Sequence, residues 1–381
     1  MTFSAADKRY MGQALSLANK ASNLTSPNPS VGCVIVLNDR IIGYAYTQPA
    51  GGQHAEALAL RLCKELPAGA TVYVTLEPCC HQGKTPPCTK ELIDAEVHRV
   101  VVAVEDPNPL VAGKGIAELR DAGILVDVGL LAMESVLLNS GFFQRMQFGR
   151  PRVTIKSAMS MDGRTAMASG ESKWITGSEA RRDVQRLRAA SCAIVTGVET
   201  VLADNPSMNV RLSSSELGQG QYPVRQPLRV ILDSQLRTDS QAKIIGDGEN
   251  ALFLYSSEDK SKAQALTEAG AQCVKVKSAG SEESLGVDLQ AVMDELTKHE
   301  CNEVLVESGP TLAGAMIDAG FADRLVIYIA PHLMGDQARP LFALPNLDEM
   351  HQRRKLEITD IKVIGKDIRV TAGFRTSDQT L

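Results

Sequence analysis

Residues 54–63 read HAEALALRLC and residues 71–88 read TVYVTLEPCCHQGKTPPC. The first run carries apolar residues at helical spacing from His54 onward. The second is a β-branched strand that breaks at Pro78-Cys79, with eight residues before the next cysteine, Cys88. His54 therefore opens one helix, and Cys79 and Cys88 lie between a strand and the next helix, so that helix N-termini converge on one point. Three protein ligands, His54, Cys79 and Cys88, leave a fourth tetrahedral position for water, whose pKa falls toward neutrality on zinc. Glu56, two residues past the histidine, is placed to carry protons rather than to bind metal. H-x-E followed by P-C-x-x-C is a signature of zinc-dependent deamination, here with a longer gap between the cysteines. The alternative is a closed structural zinc site. It needs a fourth ligand, which Cys80 or His81 can supply, and it leaves Glu56 idle.

Outward from these runs the pattern alternates. A helix is expected from about Asp7 to Ala21, with Tyr10, Met11, Ala14, Leu15 and Ala18 on one face. VGCVIVL and IIGYAY flank a turn at Asn38-Asp39-Arg40. HAEALALRLCKEL and TKELIDAEV read as helices, VVVAV and ILVDV as strands around a helix near Lys114 to Ala122. One helix from about Leu131 to Phe148 stops at Gly149-Arg150-Pro151. The boundary is placed there, giving domains 1–149 and 150–381. The second half holds the apolar runs VTIKSAMS, CAIVTG, LRVILD, ALFLYS, CVKV, EVLVES and LVIYIA between helical patterns, a second α/β domain. The Ser/Gly/Gln/Pro-rich stretch Ser213 to Pro227 reads as a mobile surface loop.

At 381 residues the chain is long for one core, and two domains of roughly 150–200 residues are expected. The net charge of -5, with no long Lys/Arg run, argues against a nonspecific grip on nucleic acid. No apolar stretch reaches the roughly 18 residues of a membrane span, and the start has no signal-peptide pattern. Eight cysteines scattered through a long chain fit a reducing cytoplasm.

The second half has no GxGxxG fingerprint. LVESGPTLAGAMIDAG reads as a strand ending at Glu307, a turn at Ser308-Gly309-Pro310 and a helix, whose first amides can hold a pyrophosphate. Such a corner is also common as plain structure. Lys156 alternates with Thr154 and Ala158 on one face of VTIKSAMS. If that face lines a cleft, Lys156 either donates a proton or positions a sugar. Trp174, the only tryptophan, sits in the polar run GESKWITG and suits a flat contact with a ligand, or plain packing.

The runs SPNPSVG, HAEALAL, TLEPCCHQGKTPPC and EDPNP, continuing into IKSAMSMDGRTAMASGESKWIT, resemble the RibD family of riboflavin biosynthesis over almost the entire chain. That family joins a pyrimidine deaminase to a reductase. The resemblance implies a cytidine-deaminase-like N-terminal domain followed by a dihydrofolate-reductase-like C-terminal domain. It implies zinc on His54, Cys79 and Cys88, proton transfer by Glu56, and a pyrimidine and phosphoribosyl pocket at Asn28, His81, Lys84, Asp106 and Asn108. Asn28 and Asn108 each precede a proline and serve equally to shape turns, and Lys84 serves equally as a solvated lysine. In the second half it implies NADPH near Ala158, Trp174, Thr200, Asp204, Ser234 and the turn Gly309, Pro310, Thr311, Leu312, Ala313, Gly314 and Ala315. Substrate is implied near Ser172, Arg188, Met208, Arg211 and Glu307. The two arginines suit a forked grip on a ribose phosphate, or surface ion pairs. Thr47 stands where the family commonly has a histidine, and Cys80 where it usually has a serine.

The reaction implied is hydrolytic deamination of 2,5-diamino-6-(5-phosphoribosylamino)pyrimidin-4(3H)-one. NADPH-dependent reduction of the ribosyl chain of 5-amino-6-(5-phosphoribosylamino)uracil to ribityl follows. The partners implied are small phosphoribosylated pyrimidines and, from the family, further copies in a homo-oligomer; nucleic acid and membrane are not among them. Two rivals remain at this point. A tRNA or free-base deaminase with an unrelated tail predicts short cysteine spacing and a basic surface. A zinc-stabilised binding module predicts a saturated metal shell and function without Glu56.

Overall fold

Helix α1 (Ala5–Ala21) starts ahead of its apolar stripe because Ser4 and Asp7 cap it reciprocally. The Ser4 hydroxyl accepts from the Asp7 N–H at 3.0 Å, and the Asp7 carboxylate accepts from the Ser4 N–H at 2.9 Å. The computed structural model describes residues 2–82, 86–246, 250–280 and 286–374. Within it the chain divides into two units, Met1–Arg150 with Ser214–Pro223, and Pro151–Ser213 with Val224–Leu381.

The first unit is built on strands β1 (Gly32–Leu37), β2 (Arg40–Tyr46), β3 (Thr71–Val74), β4 (Arg99–Val102) and β5 (Leu125–Val128), in the order β2-β1-β3-β4-β5. β1 runs antiparallel to β2 and β3, while β3, β4 and β5 are parallel. Tyr10, Met11 and Ala14 of α1 pack with Val34, Val36, Tyr73 and Val101 on one face, and Leu15 is only half-buried. Helices α2 (Ala55–Arg61), α3 (Cys88–Asp94) and α4 (Lys114–Asp121) cover the other face. There Ala55, Ala59, Leu92, Ile116 and Leu119 join Ile35, Val72, Val74, Val100 and Val102 in one core. Helix and sheet touch so closely at Gly32 that a Cβ there would lie 1.9 Å from the Ala14 carbonyl oxygen.

Three sequence expectations change. Helix α2 stops at Arg61 instead of running to Leu66, because the Lys64 N–H turns to the Ile42 carbonyl at 3.1 Å. The single helix expected over 131–148 is two, α5 (Ala132–Leu138) and α6 (Ser140–Phe148). Asn139 breaks it by spending its amide on Ser30, accepting from the N–H at 2.7 Å and donating to the carbonyl at 3.0 Å. The stretch expected as a loose loop is tied down at Ser214–Pro223, where Gln219 is buried and the Tyr222 hydroxyl donates to Gln48 Oε1.

The second unit runs β6 (Arg152–Ser160), β7 (Arg164–Ala166), α7 (Ser178–Ala190), β8 (Ala193–Gly197), α8 (Val198–Asp204), β9 (Leu228–Leu232), β10 (Ala251–Tyr255), α9 (Lys260–Glu268) and β11 (Gln272–Lys275). It continues through β12 (Ser278–Ala279), β13 (Gly286–Val287), α10 (Leu289–Lys298), β14 (Glu303–Glu307), α11 (Pro310–Asp318), β15 (Arg324–Ala330), β16 (Arg339–Pro340), β17 (Leu356–Ile364) and β18 (Asp367–Phe374). Nine strands form one sheet in the order β11-β10-β9-β8-β14-β6-β15-β18-β17. Every neighbouring pair from β11 to β15 is parallel, which explains their nearly continuous apolar burial, and only β18 runs against its neighbours. Helices α10 and α11 pack on one face through Val292, Met293, Leu296, Ala313 and Met316. On the other face, α8 and α9 pack through Val201, Ala263 and Leu266, and α7 through Ala180 and Val184. The chain leaves β6 for β8, β9, β10 and β11, then returns to fill the gap with β14 before reaching β15 on the far side. Strand order reverses around β6 and β14, and a crevice is expected at the carboxyl ends of such strands. Among the described residues no helix is long and apolar enough to cross a membrane.

Asp7 links helix and sheet in the first unit. Its carboxylate accepts from Arg99 Nη1 at 2.7 Å and from the Tyr73 hydroxyl at 2.8 Å. Burial pushes this carboxyl up, but Arg99, the Ser4 N–H and Tyr73 together outweigh burial and hold it well below the usual range. The stabilisation is complete above the ordinary value of 3.8 and is lost as pH falls below it. Asp7→Asn is expected to lower stability near neutral pH by about 2 kcal/mol. In denaturant titrations that difference from the native chain should shrink below about pH 4, where Asp7 of the unfolded chain binds a proton that the folded chain still refuses.

Candidate active sites

His54 stands in extended geometry as the residue capping α2, and Cys88 is the first residue of α3, just after Pro87. Cys79 follows Pro78 beyond the end of β3. Their ligand atoms all lie within 4.8 Å of one another. His54 Nδ1 is 3.4 Å from Cys79 Sγ and 3.3 Å from Cys88 Sγ. One nitrogen and two sulfurs at this spacing suit a tetrahedral zinc ion with one position left over. A hydrogen bond from Cys88 holds the Cys79 thiol down to about 4, against burial and with help from His54. Cys79 in turn pushes His54 up to about 9. Near neutrality the pair is therefore a thiolate beside a protonated imidazole, and a dication bound there would displace the His54 proton. Among the described residues neither Cys80 nor His81 joins the cluster. Glu56, on the first turn of α2, is buried, and burial followed by the charge of Cys79 pushes its carboxyl up to about 7. A carboxyl tuned to neutrality can both take and return a proton.

Around this cluster, Asn28 sits half-buried in the loop that Asn139 clamps at Ser30. His81 is exposed, and Lys84 lies outside the described residues. Asp106 is buried and raised to about 6, first by burial and then by Glu77 and Cys79, against the Asn108 N–H. That N–H donates to Asp106 Oδ1 at 2.8 Å, and Asn108 Oδ1 accepts from the Leu110 N–H at 3.1 Å. Both residues therefore shape their turn, whatever else they contact. Sequence reasoning passed over two residues that hold these loops, Asn139 and Glu77. Glu77 was visible only as the residue before Pro78-Cys79. Thr47 is buried, and its hydroxyl accepts from the Val31 N–H at 3.1 Å and faces the Val31 carbonyl at 3.3 Å.

In the second unit, β14 delivers Glu307 beside Lys156 of β6, with the two residues paired in register. Arg188 of α7 forks onto Glu307, Nε to Oε1 at 2.6 Å and Nη2 to Oε2 at 3.0 Å, and gives Nη1 to the Asn209 carbonyl at 3.1 Å. The fork that the sequence suggested for a phosphate is spent on a carboxylate here. Lys156 Nζ is 3.8 Å from Glu307 Oε2. Burial lowers the Lys156 pKa, and Arg188 adds to that while Glu307 opposes it. Burial works against the Glu307 carboxylate too, yet Arg188 and Lys156 hold it below its ordinary value. Arg211 is exposed, its N–H anchored to Gln185 Oε1 at 2.9 Å, and Met208 is buried with a left-handed φ of 48°.

The expected cofactor residues follow the carboxyl ends of adjacent strands. Thr200 and Asp204 lie on α8 after β8, Ser234 follows β9, and Gly309 caps α11 after β14 with Pro310 at its start. Pro310 through Ala315 form the first turns of α11. Ala158 is half-buried on β6, two residues past Lys156. Trp174 is 70% exposed, so it is no core residue, and the Arg181 guanidinium lies 4.7 Å from its ring centre. Lys173 pairs with Asp204 at 3.1 Å, and Ser172, next to it in sequence, is half-buried.

A half-buried His-Cys-Cys cluster with a spare buried carboxyl on one α/β unit, and a Lys-Glu-Arg cluster beside the switch point of another, define a zinc-dependent deaminase joined to a reductase. Residues 4–104 match the cytidine and deoxycytidylate deaminase zinc-binding region, and residues 151–370 match the RibD C-terminal domain. The riboflavin biosynthesis protein RibD of Escherichia coli is 46% identical, covering 95% of this chain and 98% of its own. The RibD structure from Acinetobacter baumannii superposes with a TM-score of 0.88 at 41% identity, over 97% of this chain and 99% of that one. A Thermotoga maritima diaminohydroxyphosphoribosylaminopyrimidine deaminase/5-amino-6-(5-phosphoribosylamino)uracil reductase gives 0.83 at 29% identity, over 97% and 99%. The chain belongs to the RibD family, with a cytidine-deaminase-like first domain and a dihydrofolate-reductase-like second one.

The donor set makes a direct forecast. Cys88→Ala should abolish stoichiometric zinc measured by elemental analysis after dialysis, whereas Cys80→Ala should retain it. Zinc lost in both variants would restore the four-ligand structural site.

Proposed function

We propose that the first domain removes an amino group from the diaminopyrimidine phosphoribosyl substrate with water, releasing ammonia. The second domain then reduces the ribosyl side chain of 5-amino-6-(5-phosphoribosylamino)uracil to ribityl with NADPH. The reading rests on one observation above the others, the convergence of His54, Cys79 and Cys88 beside the buried Glu56 carboxyl. His54, Cys79 and Cys88 would hold zinc, which when bound would supply the Lewis acidity that makes water acidic. Glu56 takes one proton from the attacking water and gives it to the ring nitrogen, then takes the second from the new hydroxyl and gives it to the departing ammonia. Its burial keeps bulk water from competing for those protons. Asn28, His81, Lys84, Asp106 and Asn108 are assigned to the pyrimidine and its phosphoribosyl arm.

In the reductase domain, the N–H groups at the start of α11 suit the NADPH pyrophosphate, with Gly309 open to close approach. Ala158, Trp174, Thr200, Asp204 and Ser234 are assigned to the rest of the cofactor. Hydride arriving at the sugar's anomeric carbon breaks its bond to the ring oxygen, which then needs a proton. Lys156, made a readier donor by burial, supplies it, and Glu307, held rigid by Arg188, orients the sugar. Arg211, exposed beside Met208, is left for the phosphate, and Ser172 completes the substrate set.

The net charge of -5 favours a small-molecule substrate over nucleic acid, and eight free cysteines suit the cytoplasm. A homo-oligomer fits the exposed Ile358, Ile361 and Val363 on edge strand β17.

Two substitutions separate the halves. Glu56→Ala should keep its zinc and lower ammonia release by about 10²- to 10⁴-fold, leaving NADPH oxidation on the deaminated product intact. Lys156→Met should do the reverse, with a loss of about a hundredfold in NADPH oxidation. Ammonia release at the native rate from zinc-loaded Glu56→Ala would sink the assignment of Glu56.

A further inference from the structure

We propose that Glu77 is a positioning residue for deamination, its carboxylate bolting the substrate loop at residues 105–113 to the strand end that carries Cys79. The inference rests on the reading above that Asp106 and Asn108 of this loop line the pyrimidine pocket. Glu77 is 3% exposed. Its Oε2 accepts from the Asp106 N–H at 3.0 Å and from the Gly113 N–H at 2.9 Å, and its Oε1 accepts from the Ile116 N–H at 3.1 Å. The three donors belong to the two ends of one segment. Asp106 opens the loop, while Gly113 and Ile116 are the cap and first turn of α4, a helix whose own cap residue offers no side chain.

Three converging N–H groups call for an acceptor-only group, and a carboxylate also suits the positive end of a helix. These bonds offset the cost of burying a carboxylate. The backbone on either side reinforces the joint. The Glu77 N–H donates to the Val104 carbonyl at 3.0 Å, and α4 comes so near that a Cβ on Gly115 would lie 2.1 Å from the Pro78 oxygen. Asp106 then passes the constraint along its turn, through its bond from the Asn108 N–H. Glu77 therefore sets where the pyrimidine-facing side chains stand relative to the metal cysteine two residues away. It touches neither substrate nor metal in this role.

The test compares Glu77→Ala and Glu77→Gln in the full-length zinc-loaded protein. Three readouts are taken: deaminase kcat and KM from ammonia release, NADPH oxidation on the deaminated product, and amide hydrogen exchange at residues 106, 113 and 116. Glu77→Ala should raise deaminase KM about tenfold or more while kcat falls less, with zinc content and reductase kinetics unchanged and the three amides exchanging faster. Glu77→Gln should fall between, since an amide oxygen at the Oε2 position keeps Asp106 and Gly113 and releases Ile116. A native KM in Glu77→Ala, or zinc lost in step with activity, would overturn the proposal. Should Glu77→Ala fail to fold, a native KM in Glu77→Gln with the Ile116 amide deprotected overturns it equally. If the native chain itself releases no ammonia, the reading of the site fails, while the exchange comparison still decides whether Glu77 anchors the loop.

Discussion

The close approach of helix α4 to the Pro78 carbonyl governs the geometry of the first domain. Only a glycine at position 115 permits it, and it puts the first turn of α4 against the strand end that carries Cys79. Once that contact exists, the residue before Pro78 is buried among unsatisfied helix N–H groups, and an acceptor there is required. Glu77 meets that requirement from the sheet side. A strand end that would otherwise fray is thereby held from two directions, and Cys79 inherits the precision that a ligand shared with His54 and Cys88 needs.

Both domains bury charge at their sites, but they neutralise it differently. In the deaminase domain the negative charge gathers on Cys79 and Glu56, and the only cationic group in the ligand set is His54, which is itself a ligand. A dication bound by the three donors would balance that charge. In the reductase domain Glu307 is matched by Arg188 in a two-pronged pair, and Lys156 adds a further positive charge. That cluster closes on itself with a surplus of positive charge, suited to an anionic or oxygen-rich ligand. A buried pair of this kind contributes little net stability and a great deal of fixed orientation.

Local sequence patterns revealed those parts of the fold that local chemistry decides. The alternation of strands and helices, the ligand triad and the strand-turn-helix corner at Gly309 could all be read, because each is set by neighbours within about ten residues or by a donor set of unmistakable type. What escaped was fixed at long range. The break at Asn139 is made by a bond to Ser30, more than a hundred positions away in sequence. The early end of α2 is set by the Ile42 carbonyl. Arg188 could be read toward either a phosphate or an ion pair, and nothing in the chain near it announces Glu307 as its partner. The hairpin of β17 and β18 was not foreseen either, although its Gly365-Lys366 turn sits between two alternating runs. Its solvent-facing edge is apolar, which blurs the in-out contrast that marks a strand.

Thr47 shows how a departure from family habit can serve architecture. Its N–H donates to the Val31 carbonyl at 2.9 Å, extending the β1–β2 ladder by one rung beyond the pair Gly32 and Tyr46. Its hydroxyl then makes a second attachment to the same residue, accepting from the Val31 N–H. Val31 directly follows Ser30, the residue clamped by Asn139, so both ends of that short segment are tied by side-chain bonds to its backbone. An imidazole has no hydroxyl to fold back on Val31 in the same way. The threonine therefore acts as a fastener: together with Asn139 it fixes Ser30 and Val31, and with them the end of the loop that contains Asn28.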